Sequence, residues 1–167
     1  MASARDIQLT KQVGEYLVAA ELARRGFQCA TFSGNIPYYD ILAVDAVGRL
    51  VPVQVKAIRS GSWQFNLDRY LDINLHEGMQ TINDYRLCPV EGLVCILVEL
   101  RKYGEDVFYL LTWSNLQSLL GEHYTTYLAK VGGIRPKRPE STHAALFPKD
   151  LEVFKDNWSL LEPGLML

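Results

Sequence analysis

The chain has 167 residues, enough for a single domain (1–167) whose core buries roughly two thirds of the unfolded chain's surface. A formal net charge of −2 gives no overall basic signal for a nucleic-acid partner, so any such partner has to be argued from local features. There is no signal-peptide pattern, no apolar run of the roughly 18 residues that a membrane helix needs, and no CxxC pair among the three cysteines. These features argue against a membrane protein and a disulfide scaffold, and they predict a cytoplasmic protein.

The first third of the chain predicts a helix followed by an antiparallel hairpin. Residues 7–25 are rich in Ala, Leu and Glu, which favours a helix that ends at Gly26. Three strands are predicted at residues 27–33, 40–45 and 49–58, with turns at 33–39 and 46–48. Pro52 lies inside the third strand, which predicts that this strand is paired on one side only at that point.

The rest of the chain alternates between apolar strands and short helices. Further strands are predicted at residues 62–67, 92–100 and 106–113. Helices are predicted at residues 76–87, 114–122 and 148–158, and a Gly/Pro-rich basic loop at 131–142. This order predicts an α/β or α+β fold, in which a central mixed sheet carries an N-terminal helix, a hairpin core and flanking helices.

The first helix carries an acidic residue inside its apolar margin. Its predicted apolar arc consists of Leu9, Val13, Tyr16, Leu17, Ala20 and Ala23. The opposite, polar side consists of Lys11, Gly14, Glu21 and Arg25. Glu15 projects between Ala19 and Leu22, where a carboxylate is costly unless a cation, a metal or hydrogen bonds compensate. A purely structural pairing with an arginine such as Arg59 is the alternative to a functional site.

The hairpin geometry predicts a cluster of polar side chains. A three-residue turn that ends in a left-handed Gly48 sets Asp40 opposite Gln54. Opposed residues of an antiparallel pair share a face, and Lys56 shares that face because it lies two residues beyond Gln54. A two-residue turn would set Asp40 opposite Val55 and would break the cluster. The alternative interpretation is a polar sheet face with an ordinary Asp–Lys pair.

Three short segments resemble motifs of the PD-(D/E)XK nuclease superfamily. They are Gly14-Glu15 on the helix, Pro37-Tyr38-Tyr39-Asp40 before a strand, and Gln54-Val55-Lys56 on the next strand. The segment as a whole, about residues 8–60, looks most like the small stand-alone branch that includes Holliday junction resolvases. The resemblance implies a restriction-endonuclease-like fold. Two departures stand out: Gln54 occupies the place of the family's second acidic residue, and two tyrosines separate Pro37 from Asp40.

The resemblance also implies roles for these residues in metal-dependent DNA hydrolysis. Asp40 would ligate a divalent metal, Mg²⁺ or Mn²⁺, and Gln54 would take the second ligand's place through its carbonyl oxygen. Glu15 would support the metal or its waters. Lys56 would orient or activate the attacking water and offset charge on the phosphate. The implied activity is that of an endonuclease acting on DNA, and many such small nucleases work as homodimers.

Candidate DNA contacts lie outside this cluster. Arg59 follows the second hairpin strand, and Arg135, Lys137 and Arg138 are concentrated on the basic loop, which suits phosphate contacts. The histidines His76, His123 and His143 show no metal-ligand spacing. Two alternatives stay open: a nuclease fold that has lost catalysis and binds nucleic acid or protein, and a structural domain without phosphate chemistry.

Overall fold

The computed structural model describes residues 3–32 and 36–162, and it is a mixed α+β structure. The α-helices are α1 (Ala4–Arg24) and α2 (Trp113–Lys130). The strands are β1 (Gln28–Thr31), β2 (Ile41–Val44), β3 (Leu50–Ile58), β4 (Trp63–Asn66), β5 (Leu71–His76), β6 (Met79–Tyr85), β7 (Val94–Glu99), β8 (Val107–Thr112) and β9 (His143–Leu146). Neither described helix has the length and apolar character needed to cross a bilayer.

Five of the strands form one mixed sheet in the order β1–β2–β3–β7–β8. Strands β3 and β7 run parallel, and the other neighbours are antiparallel. The central strands are buried on both sides, as a sheet covered on two faces requires. One core cluster joins the sheet to α1 through Val18 and Leu22, and the other joins it to α2 through Leu116 and Leu120. The predicted central sheet with helices packed against it is confirmed.

The predicted hairpin register is also confirmed. Ile41 pairs with Val53, which continues the same register to Asp40 opposite Gln54. The turn holds three residues and ends at Gly48, whose φ of +85° is left-handed and suits glycine. The predicted turn at 33–39 lies partly outside the described residues, because these omit 33–35.

Pro52 is paired on one side only, as predicted. It lies opposite Leu42 of β2, whereas the pairing of β3 with β7 begins one residue later, between Val53 and Val94. A proline has no N–H to donate to a second neighbour, so it fits at this position and would not fit further along β3. The parallel pairing with β7 therefore starts at Val53, the first residue after Pro52 that has a backbone N–H to donate.

The predicted apolar arc of α1 is wrong except at Leu17, which packs against the core. Leu9, Val13 and Tyr16 are exposed, and the helix instead buries Gly14, Val18 and Leu22 against the sheet. A Cβ atom at Gly14 would lie 2.5 Å from the Cβ of Ala57 on β3, so the missing side chain lets the helix approach the strand. Glu15, the next residue, is consequently held near the sheet.

Replacing Gly14 with alanine is expected to lower the free energy of unfolding by about 1–3 kcal/mol, because the new methyl group overpacks the contact with Ala57. Urea denaturation measures this change. Ala20→Gln, on the exposed side of the same helix, serves as the control and should stay within about 0.5 kcal/mol of the wild type. An equal effect of the two substitutions would contradict the close helix–strand contact.

Three predicted helices need correction. Residues 76–85 belong to the β5–β6 hairpin, whose turn residues Glu77 and Gly78 both have positive φ, +50° and +82°, and residues 86–87 follow it without helical structure. The helix predicted at 114–122 is longer, because Thr112 caps it and it continues to Lys130. The helix predicted at 148–158 is absent from the described chain, where separate short 3₁₀ turns take its place. The predicted strand at 62–67 is present as β4 but pairs with β9, outside the main sheet.

Candidate active site

Asp40, Gln54 and Lys56 line one cavity of about 530 Å³ between α1, the start of β2 and the middle of β3. The cavity is also lined by Lys11, Tyr38, Tyr39, Gln64 and Arg69, among others. Tyr38 is 53% exposed and has a φ of +87°, an uncommon conformation for a residue with a side chain. The polar cluster predicted from the hairpin register therefore opens onto a cavity.

Asp40 is fixed to β3 by two hydrogen bonds. Its backbone N–H donates to the carbonyl oxygen of Val53 at 2.8 Å, and its Oδ2 accepts from the N–H of Val55 at 2.8 Å. The side chain is only 18% exposed. Because Oδ2 is committed to the strand, Oδ1 is the oxygen directed to other partners.

Two carboxylates converge on the ammonium group of Lys11. Its Nζ lies 3.4 Å from Asp40 Oδ1 and 3.5 Å from Glu15 Oε1. Burial, followed by the nearby charge of Asp40, raises the pKa of Glu15, while Lys11 acts in the opposite direction. Glu15 is thus brought into the site through Lys11, since the residue itself does not line the cavity. Its partner is this lysine, whereas Arg59 donates to Thr10 Oγ1 at 3.1 Å.

The oxygen donors of this cluster fit a hard divalent cation. Asp40 Oδ1 and Glu15 Oε1 already share one cationic partner, and Gln54 adds a carboxamide on the same cavity wall. Within residues 3–32 and 36–162, no group of three or more His, Cys, Asp and Glu side chains is arranged to hold a metal. Mg²⁺ is often bound through one or two carboxylates while it keeps several waters, so the donor set suits a weakly held Mg²⁺.

Lys56 lies in a largely desolvated position on β3. Burial is the main cause that lowers the pKa of Lys56, and the charge of Arg69 lowers it further, while Asp40 raises it. The ammonium donates to the backbone carbonyl of Gln64 at 3.4 Å and lies 5.1 Å from the ring centroid of Phe65. A lysine whose pKa is lowered exchanges its proton more readily near neutral pH.

Gln54 lies beside a buried thiol on the neighbouring strand. Cys95 pairs with Gln54 in the parallel register, and its Sγ donates to Gln54 Oε1 at 4.0 Å. Burial raises the pKa of Cys95 to about 12, so this thiol stays protonated. A weak S–H donor leaves most of the acceptor capacity of the carboxamide oxygen available.

The structure does not bring the predicted DNA contacts into this cavity. Arg59, Arg135, Lys137 and Arg138 are absent from its lining, and Lys137 and Arg138 are exposed on the loop between α2 and β9. Arg135 lines a different cavity. The four basic residues therefore do not form one patch with the candidate active site.

Two basic residues of the cavity were not predicted as site residues. Lys11 lies one helical turn before Glu15, a spacing that favours an ion pair, but the sequence gives no sign that Asp40 completes it. Arg69 ends a short 3₁₀ helix that follows β4, and the sequence predicted no helix or strand at this position. Only the three-dimensional path of the chain places either residue here.

Replacing Lys11 with methionine is expected to tighten Mn²⁺ binding, because the tethered ammonium occupies the carboxylate oxygens that a metal needs. Each partly exposed ion pair is worth roughly 0.2–1 kcal/mol, so we expect the dissociation constant to fall about fivefold. Isothermal titration calorimetry measures it, with Lys130→Met as the matched control. Weaker binding by the Lys11 variant would show that this lysine supports the metal site.

No protein-family model and no curated protein matches the chain. Among solved structures it is similar to the bacterial homing endonuclease I-Ssp6803I, with a TM-score of 0.51 and 13% sequence identity. The likeness covers 92% of this chain and 91% of that chain. At this level of identity it establishes the fold alone. The chain therefore shares its α+β fold with that protein, and its candidate active site lies where α1, β2 and β3 meet.

Proposed function

We propose that this protein is a metal-dependent endonuclease that hydrolyses phosphodiester bonds in DNA. The observation that carries the proposal is the convergence of Asp40, Gln54 and Lys56 on one cavity, with Glu15 linked to Asp40 through Lys11. We take DNA as the partner from the likeness in fold to a homing endonuclease. Because a fold alone does not specify the substrate, the experiment below tests several nucleic acids.

Asp40, Glu15 and Gln54 are the residues that would hold the metal, for which Mg²⁺ or Mn²⁺ is the best match to an all-oxygen donor set. When bound, such an ion supplies positive charge that stabilises the developing charge on the phosphate. The protein fixes Asp40 in advance, because the N–H of Val55 and the carbonyl of Val53 both hold it.

Lys56 is the residue that we assign to the attacking water. Hydrolysis forms a bond from the water oxygen to phosphorus, breaks the bond to the leaving oxygen and releases a proton from the water. A Lys56 amine accepts that proton, and the resulting ammonium offsets negative charge on the phosphate. The low-dielectric position of Lys56 on β3 favours the neutral amine that this role requires.

The remaining basic and aromatic groups around the cavity suit a nucleic-acid strand. Arg69 adds a cation to its lining, and the exposed Tyr38 offers a face on which a base can stack. Arg59, which follows β3, and the exposed Lys137 and Arg138 lie outside this cavity, and we assign them to backbone phosphates of the DNA beyond it.

A second candidate function is a catalytically inactive nuclease fold that binds nucleic acid. The observation in its favour is Gln54, which brings no negative charge, so the described donor set holds two carboxylates and one carboxamide. This alternative predicts DNA binding without cleavage at any divalent-ion concentration.

The test is a cleavage assay of the full chain with Mg²⁺ or Mn²⁺ on labelled duplex DNA, a four-way junction, single-stranded DNA and RNA. We expect cleavage of a DNA substrate that stops on chelation of the metal and is lost in Lys56→Met. Binding without cleavage would favour the inactive alternative. Absence of both from every substrate would overturn the proposal.

A further inference from the structure

A second cavity, of about 420 Å³, lies where the end of α2, the loop after it and β9 meet the outer face of β4. It is lined by Gln64, His123, Tyr124, Tyr127, Arg135 and His143, together with Ala144 and Ala145. The endonuclease chemistry proposed above does not use this cavity. It brings His123, Arg135 and His143 together with Gln64, which lies about 60 residues earlier in the sequence.

Arg135 is held rigidly at this cavity. Its guanidinium carbon lies 5.8 Å from the ring centroid of Tyr124 and 5.3 Å from that of Tyr127. Its Nη1 donates to the carbonyl oxygen of His143 at 2.8 Å and to the hydroxyl of Tyr124 at 3.3 Å. A stacked and hydrogen-bonded guanidinium loses little further freedom when it binds a ligand, so the cation is preorganised.

The charge of the lining favours an anion. Arg135 supplies a permanent positive charge, and His123 and His143 supply imidazole groups, whereas none of the described residues that line the cavity carries a carboxylate. This contrasts with the net charge of −2 of the whole chain. The remaining guanidinium N–H groups, the imidazole N–H groups and the Tyr127 hydroxyl can donate hydrogen bonds to phosphate oxygens, whereas the Tyr124 hydroxyl already donates to Gln80 Oε1.

One residue connects this cavity with the candidate active site. Gln64 lines both, and its backbone carbonyl accepts the hydrogen bond from Lys56. On the two-stranded ribbon, Gln64 pairs with Ala145 and Asn66 with His143, so these four residues share one face. Gln64 therefore joins the edge of the candidate active site to the edge of the Arg135 cavity.

We propose that the Arg135 cavity binds a backbone phosphate of the same DNA strand whose scissile phosphate lies at Lys56. The inference rests on the proposed function, and it adds the direction in which the strand leaves the active site: across Gln64 and the outer face of the β4–β9 ribbon. Arg135 binds the phosphate, and Tyr127 keeps the guanidinium in place.

The test measures binding of a fluorescently labelled DNA duplex by anisotropy over a series of salt concentrations, in EDTA so that no cleavage occurs. We expect Arg135→Gln to weaken binding about tenfold and to reduce the salt slope by about 1, because one phosphate contact is lost. Arg24→Gln is the matched control: Arg24 is exposed at the far end of α1, paired with Glu21, and its loss should leave binding unchanged.

A second pair of variants covers the case in which Arg135→Gln fails to fold, which thermal melting would reveal. His143→Glu introduces a carboxylate at an exposed position of the cavity and is expected to weaken binding at least as much. His76→Glu makes the same change at an exposed position at the end of β5 and should have little effect.

The outcomes separate the two proposals. Wild-type binding that neither Arg135→Gln nor His143→Glu weakens beyond its control would overturn the cavity assignment and leave the proposed nuclease intact. A wild-type chain that neither binds nor cuts DNA would overturn both. Calorimetric binding of inorganic phosphate at Arg135, without any effect of the variants on DNA affinity, would identify a small-anion site and would also overturn the assignment.

Discussion

Replacing Lys56 with methionine is expected to slow DNA hydrolysis by about 100- to 10,000-fold while DNA affinity stays within about twofold of the wild type. Methionine keeps an unbranched chain of similar length against Phe65 but removes the amine that accepts the proton of the attacking water. Single-turnover cleavage measures the chemical step, and anisotropy measures binding separately.

The pH dependence of the wild-type rate gives an independent readout of the same role. Because burial lowers the pKa of Lys56, the neutral amine becomes populated below the ordinary lysine value of 10.5. The rate is therefore expected to rise with pH to a midpoint below that value, and Lys56→Met should lack this rise. Lys102→Met, in the exposed turn between β7 and β8, is the control for loss of a lysine. A pH profile that the Lys56 variant shares with the wild type would contradict a role for this amine in proton transfer.

Replacing Asp40 with asparagine is expected to weaken Mn²⁺ binding by about 100-fold or more and to abolish cleavage, since an amide brings no charge to the metal. The fold should persist, because the asparagine carbonyl still accepts the N–H of Val55 that Asp40 Oδ2 accepts now. Calorimetry measures the metal affinity and thermal melting checks the fold.

Asp45→Asn is the matched control for this second prediction. Asp45 follows the other end of β2, where its carboxylate accepts the N–H groups of Val47 and Arg49 and pairs with the Arg49 side chain. The substitution is of the same kind and lies beside the same strand, but Asp45 does not line the cavity that contains Asp40. Equal loss of metal binding in both variants would place the metal elsewhere or would reflect a general effect of charge.

The part of the site that lies on the hairpin was predictable from the sequence, because a hairpin register depends on local features. The number of turn residues and the left-handed glycine at 48 decide which residues face each other, and strand alternation then brings Gln54 and Lys56 to one face. Pro52 was predictable for a related reason, since its missing N–H limits where a second strand can pair.

The burial of α1 was not predictable from its apolar residues. The broadest apolar arc, which includes Leu9 and Tyr16, is exposed, and the helix packs through the narrower side that contains Gly14. The close approach of α1 to β3 depends on the absence of a side chain at Gly14. The spacing of apolar residues along the helix does not reveal this absence. The prediction that Glu15 is partly buried is confirmed, but it depends on Gly14 and not on the apolar arc.

Contacts between segments that are distant along the chain were also not predictable from the sequence. Lys11 reaches Asp40 across 29 positions, and the Arg135 cavity needs β9, whose four residues carry little strand signal, to pair with β4. The β5–β6 hairpin was missed because its turn uses Glu77 in a left-handed conformation, where Asn or Asp is the usual signal.

The three-residue connection between β2 and β3 also bears on how such a protein can vary. Asp40 lies about five residues, or roughly 17 Å of strand, from the turn that sets its position. A one-residue change of register, in which Ala46 instead of Asp45 pairs with Arg49, would set Asp40 opposite Val55 and turn it away from Lys56, although the tip touches no substrate. The same slip would turn Ile41 and Ala43 out of the core, so changes at this distant tip that shift the register are expected to cost both the site and stability, whereas substitutions that keep the register and Gly48 should be tolerated.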